Sequence, residues 1–270
     1  MKDEGMDASN AAELKEKYEE IARSLDYNTT ACDYNLRELE IDTAAAWMKD
    51  GDRVLDVGCG LGYAVTQYAL RHKVEAHGLD YAENMVAGAR QLLEKNFPQL
   101  KVSVTFVHAS VCQTPFPDNH FDVVSSSRCL MALLDWELQK EALKEIHRIL
   151  KPGGVMALME GTMEGLERLN EMRSRFGLPA IDATGKDRLF TRKFVEAELL
   201  EYCGGMFALE KIQRFGMYYF LTRVAHPLLA APESPKYDAK INDIARAIAK
   251  VIPDYEGLGH LAAFMFRKKT

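Results

Sequence analysis

The stretch Arg53-Val54-Leu55-Asp56-Val57-Gly58-Cys59-Gly60-Leu61-Gly62 decides the fold of this chain. A short apolar run with one acid, Asp56, predicts a buried strand. Three glycines follow at alternate positions, and residues 63–71 have the pattern of a helix. Glycine accepts positive φ and has no Cβ, so a ligand can approach the backbone closely at such a turn. The following helix N-terminus adds free N–H groups, and the stretch therefore predicts a ligand-binding turn.

The glycine spacing argues against a dinucleotide. The pyrophosphate fingerprint Gly-x-Gly-x-x-Gly/Ala requires a small residue at position 63 when counted from Gly58, or at position 65 when counted from Gly60. Tyr63 and Val65 occupy these positions. The sequence thus disfavours an NAD-dependent oxidoreductase, while a simple tight turn without any ligand remains the alternative.

The pattern Asp-x-Gly-x-Gly-x-Gly resembles motif I of the class I S-adenosylmethionine (SAM) methyltransferases. The resemblance implies that the loop holds the amino-acid part of SAM and that S-adenosylhomocysteine (SAH) is the product. Two further phrases, residues 115–124 and Lys151-Pro152-Gly153-Gly154, are also similar to this family. The resemblance covers residues 50–160 by motif and the flanking regions by layout. It assigns the loop residues Asp56, Gly58, Gly60 and Gly62 to the cofactor.

Composition narrows the class of protein further. The chain has 270 residues, 47% of them hydrophobic, and a formal net charge of −6. An acidic chain lacks the Lys/Arg excess that a sequence-independent nucleic-acid site requires, so nucleic acid is disfavoured as a partner. The acidic N-terminus is no secretory signal and no apolar run has the length of a membrane span, so we expect a cytoplasmic protein. Five widely spaced cysteines without Cys-x-x-Cys indicate no metal site.

Strand and helix patterns alternate five times between residues 53 and 160. This order predicts a doubly wound, mostly parallel α/β sheet. The resemblance implies a seven-stranded Rossmann-like sheet whose last strand is antiparallel and inserted between strands five and six. We expect residues 1–49 to form an N-terminal helical cover, 50–160 the SAM-binding core, 161–205 an acceptor-binding cap and 206–270 the completion of the sheet.

The predicted strand ends carry the candidate cofactor residues. Asp80 follows Gly62 by 18 positions, where an acid can accept hydrogen bonds from both ribose hydroxyls. Asp80 also has the position of a helix N-cap. The family usually has an acid where Ser110 stands, so the backbone at Ser110 and Val111 is left to contact the adenine. Tyr27, with Tyr34 as a second candidate, is predicted to close over the ligand. The remaining cofactor candidates are Tyr81, Met85, Ser127 and Arg128.

The sequence contains two candidates for the catalytic base. His226 lies in the aromatic segment that we assign to the acceptor side, and Glu160 ends strand five; each is a candidate base. We expect methyl transfer by in-line displacement to an oxygen, and less so to a nitrogen, of a small molecule, sugar or biosynthetic intermediate. An RNA methyltransferase, a non-catalytic SAM-binding protein and an oxidoreductase remain alternatives. A homodimer is a further hypothesis.

Overall fold

A computed structural model describes residues 8–29, 33–182 and 191–270 of the chain. Within these ranges, seven strands form one sheet in the order β3-β2-β1-β4-β5-β7-β6. The strands are β1 Arg53–Val57, β2 Glu75–Asp80, β3 Val104–His108, β4 Phe121–Ser127, β5 Leu150–Gly161, β6 Phe207–Arg214 and β7 Leu261–Lys268.

The helices lie before, between and after these strands. They are α1 Ala8–Ala22, α2 Tyr34–Ala45, α3 Tyr63–Arg71, α4 Glu83–Asn96, α5 Trp136–Ile149, α6 Met163–Arg175, α7 Glu196–Gly204, α8 Gly216–Phe220, α9 His226–Ala230 and α10 Lys240–Val251. A π-helical turn, Leu221–Ala225, joins α8 to α9.

The predicted α/β architecture and the place of its last strand are confirmed. Strand β1 is parallel to both β2 and β4, and β4 is parallel to β5. Strand β7 is antiparallel to β5 on one side and to β6 on the other. The central strands are apolar and buried, as parallel strands covered on both faces must be.

The direction of winding reverses beside β1. The chain proceeds from β1 outward to β2 and β3, and then returns to β4 on the other side of β1. Open α/β sheets bind ligands at such a switch point, beyond the carboxyl ends of the strands. The glycine stretch that follows β1 lies at this point.

Two N-terminal helices cover this edge of the sheet. Helix α1 packs against α4, and the Glu19 carboxylate accepts hydrogen bonds from the backbone N–H groups of Glu83 and Asn84, at 2.9 and 2.8 Å. These N–H groups belong to the first turn of α4, which has no intrahelical acceptor for them. Asp33 caps α2 by accepting from Leu36 N. Helix α1 therefore satisfies the first turn of α4, while the division of the chain into cover, core, cap and C-terminal part stays a prediction.

Some element boundaries differ from the sequence-based expectation. The sequence pattern predicts the third strand over 102–107, but β3 begins at Val104 and Val102 is 97% exposed. The pattern predicts the fifth strand over 155–160, but β5 begins at Leu150, which pairs with Phe121 before a register shift. In the described part of the chain, each helix is too short or too polar to cross a lipid bilayer.

Candidate cofactor and acceptor cleft

The glycine loop is a left-handed turn, and backbone hydrogen bonds to β2 hold it in place. Gly58, Gly60 and Gly62 have φ values of +71°, +52° and +80°, a region that residues with a Cβ rarely adopt. The N–H groups of Gly58 and Cys59 both donate to the Leu79 carbonyl, at 2.7 and 3.0 Å. Because these donors are already used within the protein, they are not available to a pyrophosphate. The geometry agrees with the spacing argument against a dinucleotide.

Asp80 joins the glycine loop to helix α4. Its Oδ2 accepts from Gly60 N at 2.8 Å, and its Oδ1 accepts from Ala82 N at 2.9 Å. Asp80 is not the N-cap of α4, since Ala82 has that position and no side chain caps it; Asp80 holds the turn before the helix instead. Each of its carboxylate oxygens retains a second lone pair that a ligand could use. Burial raises the pKa of Asp80, and the two backbone N–H groups lower it in part.

A cleft of about 600 Å³ opens over this loop. The polar residues of its floor belong to the glycine loop, to the ends of β2 and β4 and to α2. One wall is apolar and comprises Met131, Ala132, Leu133, Leu138 and Met159. A larger depression, of about 850 Å³, lies at the opposite edge of the sheet among Asp50, Gly51 and residues 69–75. That depression is away from the strand ends where α/β sheets bind ligands.

Asp56 is a buried acid at the bottom of the cleft. It is 4% exposed and accepts a hydrogen bond from the Ser125 hydroxyl at 2.7 Å. Burial raises its pKa to about 7; Ser125 opposes this shift, and the nearby acids Asp80 and Glu40 add to it. The site consequently contains a carboxyl group that loses its proton near neutral pH.

Helix α2 contributes a second charged group. Glu40, 1% exposed, pairs through Oε2 with Arg128 Nη2 at 2.6 Å. Arg128 follows β4 and has a φ of +57°, a strained value for a residue with a Cβ. Arg37, one helical turn before Glu40, donates to the Tyr27 carbonyl and to Asn28 Oδ1. Its guanidinium lies 4.1 Å from the centroid of the Tyr63 ring.

Most of the cofactor residues predicted from the sequence line this single cleft. They are Tyr27, Asp56, Gly58, Gly60, Asp80, Tyr81, Met85, Ser110, Val111, Ser127 and Arg128. Tyr27 also packs on Tyr63, with ring centroids 5.0 Å apart. Tyr34 does not line the cleft. The cofactor roles of these residues stay predictions; the structure brings the residues together.

Gly62 differs from the other loop glycines. It does not line the cleft, and a Cβ at this position would lie 2.4 Å from Cζ of Phe106. It is the N-cap residue of α3. The structure therefore places Gly62 in the packing of α3 against β3, and its contact with the cofactor stays a prediction.

Glu160 is a structural acceptor in this structure. Its carboxylate is fully buried and accepts from the backbone N–H groups of Cys129, Leu130 and Met131, at 3.1, 2.9 and 3.1 Å. The Ser126 hydroxyl adds a fourth hydrogen bond at 2.8 Å. Burial raises its pKa to about 7. Its oxygens hold the loop after β4, and Glu160 does not line the cleft. Its role as a base stays a prediction.

His226 also lies outside the cleft. It is the first residue of α9, is 6% exposed and does not contribute to the cleft lining. The role of His226 as a base also stays a prediction. Among the described residues, no group of three or more His, Cys, Asp or Glu side chains is arranged to hold a metal ion.

Several cleft residues were not predicted as site residues. Leu14 and Tyr18 come from α1, and Arg37, Glu40 and Ile41 come from α2. The sequence contains one signal for site residues on α2. Arg37 and Glu40, at i and i+3, lie on a helix face that is otherwise apolar. Charged side chains on a buried face require partners, which makes them candidates for ligand contact.

Comparison with known proteins agrees with this geometry. Residues 54–154 match a family model described as a methyltransferase domain. A demethylmenaquinone methyltransferase of Geobacillus kaustophilus is 33% identical over 138 residues, 49% of this chain and 56% of that protein. Its counterpart in Anoxybacillus flavithermus is 31% identical over 173 residues, 58% of this chain and 67% of that protein. A Vibrio parahaemolyticus protein named ubiquinone/menaquinone biosynthesis C-methyltransferase is 28% identical over 152 residues, 56% of each chain.

A solved structure supports the fold over nearly the whole chain. The putative methyltransferase in a complex with the Haloferax volcanii Trm112 methyltransferase activator gives a TM-score of 0.64 at 17% identity. The similarity covers 94% of this chain and 98% of that chain. The chain belongs to the class I SAM-dependent methyltransferase family, whose cofactor is SAM. It spans little more than half the length of the first Geobacillus relatives, 56% and 60%.

Proposed function

We propose that this protein transfers the methyl group of SAM to a carbon atom of a small, largely apolar acceptor. One observation carries the proposal: a single cleft joins the glycine loop and Asp80 to an apolar wall at the ends of β4 and β5. Donor and acceptor would therefore meet within one enclosed space. The fold alone would not support this, because one fold hosts many functions.

The donor half has a group for each part of SAM. Asp80 would bind the ribose hydroxyls, and Met85 and Val111 would enclose the adenine from its two faces. The glycine loop leaves room for the amino-acid part. Asp80 is acidic, and Met85 and Val111 are apolar, whereas a phosphate would need hydrogen-bond donors. These three residues therefore fit SAM better than a dinucleotide.

The chain's own contribution to the reaction is positioning. Bound SAM supplies a methyl group that is already activated by the sulfonium. The apolar wall excludes water and orients the acceptor atom toward that methyl group, and such positioning is worth about 7–11 kcal/mol of the barrier. Since neither His226 nor Glu160 lines the cleft, the proposal needs an acceptor that loses its proton readily.

The acceptor chemistry follows from the wall and from the relatives. Met131, Leu133 and Leu138 offer an apolar surface to an aromatic ring. The name of the Vibrio relative specifies a C-methyltransferase of quinone biosynthesis. We therefore propose an electron-rich hydroquinone-type ring carbon in place of the oxygen or nitrogen that the sequence alone led us to expect. Ionisation of the adjacent phenolic hydroxyl makes such a carbon nucleophilic. This carbon would form a bond to the methyl group as the bond between that methyl and the sulfonium sulfur breaks and leaves SAH. Loss of the ring C–H proton to water would then restore the aromatic ring.

The test is methyl transfer from labelled SAM to a reduced 1,4-naphthoquinone. Its hydroquinone ring carries a short prenyl chain on one carbon, and the neighbouring carbon of the same ring is unsubstituted. We expect one labelled methyl group per ring, at carbon. The matched control is the same compound with that ring carbon already methylated, which should accept no label. Label on the hydroxyl oxygen would refute carbon methylation. Binding of SAH without transfer to either compound would instead support a non-catalytic SAM-binding protein.

A further inference from the structure

Helix α2 contains two buried polar atoms that have no hydrogen-bond partner among the described residues. Glu40 uses Oε2 for the pair with Arg128, while its Oε1 is buried and unpartnered. Ser127 lies close enough to stabilise the carboxylate charge, without reaching hydrogen-bond geometry. Arg37 uses both terminal nitrogens, while its Nε is buried and unpartnered. Both residues line the cleft.

A buried carboxylate oxygen without a partner is costly. Leaving such a group unsatisfied costs about 1–3 kcal/mol, and more when the group is charged. Asp56 is a second buried acid near Glu40. The charge of Glu40 contributes to the raised pKa of Asp56. This corner of the cleft consequently favours a cation that can donate hydrogen bonds.

The corner lies where the donor's amino-acid part would be. Asp80 marks the ribose position, and Tyr81 and Met85 lie beyond it on the adenine side. Asp56 in β1 and Arg128 after β4 belong to the strands next to the glycine loop, and Glu40 of α2 pairs with Arg128; all three residues line the same cleft. An amino acid carries an ammonium and a carboxylate on the same carbon. Residues at i and i+3 of a helix, such as Arg37 and Glu40, are about 5–6 Å apart at Cβ and match that pair of charges.

We propose that Glu40 binds the α-ammonium of the donor's amino-acid part and that Arg37 binds its α-carboxylate. Arg128 acts as a positioning residue, because its ion pair fixes the Glu40 side chain. This inference rests on the proposed function, since it takes SAM to be the donor. The same charges disfavour dinucleotides, because a phosphate at this corner would face Glu40 and Asp56.

The test compares three ligands by isothermal titration calorimetry of the full chain. SAH has the complete amino-acid part, decarboxylated SAH keeps only the amine, and 5′-methylthioadenosine has neither group. We expect Glu40→Gln to weaken SAH and decarboxylated SAH by about 10–100-fold, the value of a charged hydrogen bond. Binding of 5′-methylthioadenosine should stay within about twofold of wild type. Arg37→Gln should weaken SAH alone.

The matched control is Asp42→Asn, on the same helix but outside the cleft, where Asp42 pairs with Arg71 and Lys250. It should leave all three affinities unchanged. The retained affinity for 5′-methylthioadenosine shows that Glu40→Gln is folded. An equal loss of all three ligands, or an unchanged affinity for SAH, would overturn this inference and leave the proposed function standing. Failure of wild type to bind SAH and 5′-methylthioadenosine would overturn the proposed function and this inference with it.

Discussion

Replacement of Glu160 by Gln separates a structural role from a catalytic one. In wild type, Oε1 accepts from Ser126 Oγ, Cys129 N and Leu130 N, and Oε2 accepts from Met131 N. Gln can place its amide oxygen toward the first three donors. Its amide N–H₂ then faces the N–H of Met131, so one buried donor loses its acceptor.

The magnitude follows from this geometry. Loss of one hydrogen bond to a charged acceptor, with the donor left buried, costs about 1.5–3 kcal/mol. The other three bonds change from charged to neutral acceptors, which are weaker. We expect a net destabilisation of about 2–4 kcal/mol. For a chain of this size that corresponds to a decrease in Tm of about 4–8 °C.

The assay is thermal unfolding followed by circular dichroism, together with methyl transfer measured well below both melting temperatures. Glu137→Gln is the matched control, since Glu137 has a side chain 71% exposed and should shift Tm by less than about 1 °C. The structure predicts a lower Tm and a largely retained turnover for Glu160→Gln. An unchanged Tm with turnover abolished would show that Glu160 is the base and would refute the reasoning.

Three further perturbations test other parts of the site. Gly62→Ala should destabilise the protein by about 2–4 kcal/mol, because Gly62 has a φ of +80° and the new Cβ would lie 2.4 Å from Phe106 Cζ. Urea denaturation measures this change, and a midpoint equal to that of wild type would contradict it. Asp80→Asn should weaken SAH and 5′-methylthioadenosine by the same factor, about tenfold or more, since both contain the ribose; calorimetry that shows a loss for SAH alone would exclude ribose binding. Asp56 has its pKa raised from 3.8 to about 7, so its contribution to stability is full below about pH 4 and is lost as pH rises through about 7. Asp56→Asn should make the loss of stability between pH 4 and 8 smaller, while Glu160, whose pKa is also raised to about 7, retains its own contribution. An identical slope in the variant would contradict the raised pKa of Asp56.

The sequence was sufficient for the parts of the site that depend on local pattern. The glycine loop needs residues of one type at fixed spacing, and the alternation of strands and helices determines which residues lie at strand ends. Asp80, Ser110 and Ser127 lie at the cleft for this reason. The antiparallel position of β7 came from the family resemblance, because the spacing of β7 from β5 and β6 along the chain does not determine it.

The rest depended on contacts between distant residues. Glu160 is at a strand end, as a catalytic acid would be, yet the loop after β4 turns back and occupies its oxygens. Gly62 has the spacing of a ligand-contacting glycine, but Phe106 from β3 fills the space beside it. Glu40 and Arg37 were missed because their pattern on α2 resembles an ordinary helix. Their burial depends on the packing of α2 against α3 and α10 and on the pairing of Glu40 with Arg128, which the sequence does not show.

The most direct test of the account is calorimetric titration of the purified full chain with SAH. The cleft, which Asp80 and Glu40 both line, predicts one-to-one binding that is saturable at micromolar ligand. Absence of heat at millimolar SAH, together with no shift in Tm, would contradict the assignment of this cleft as a SAM site.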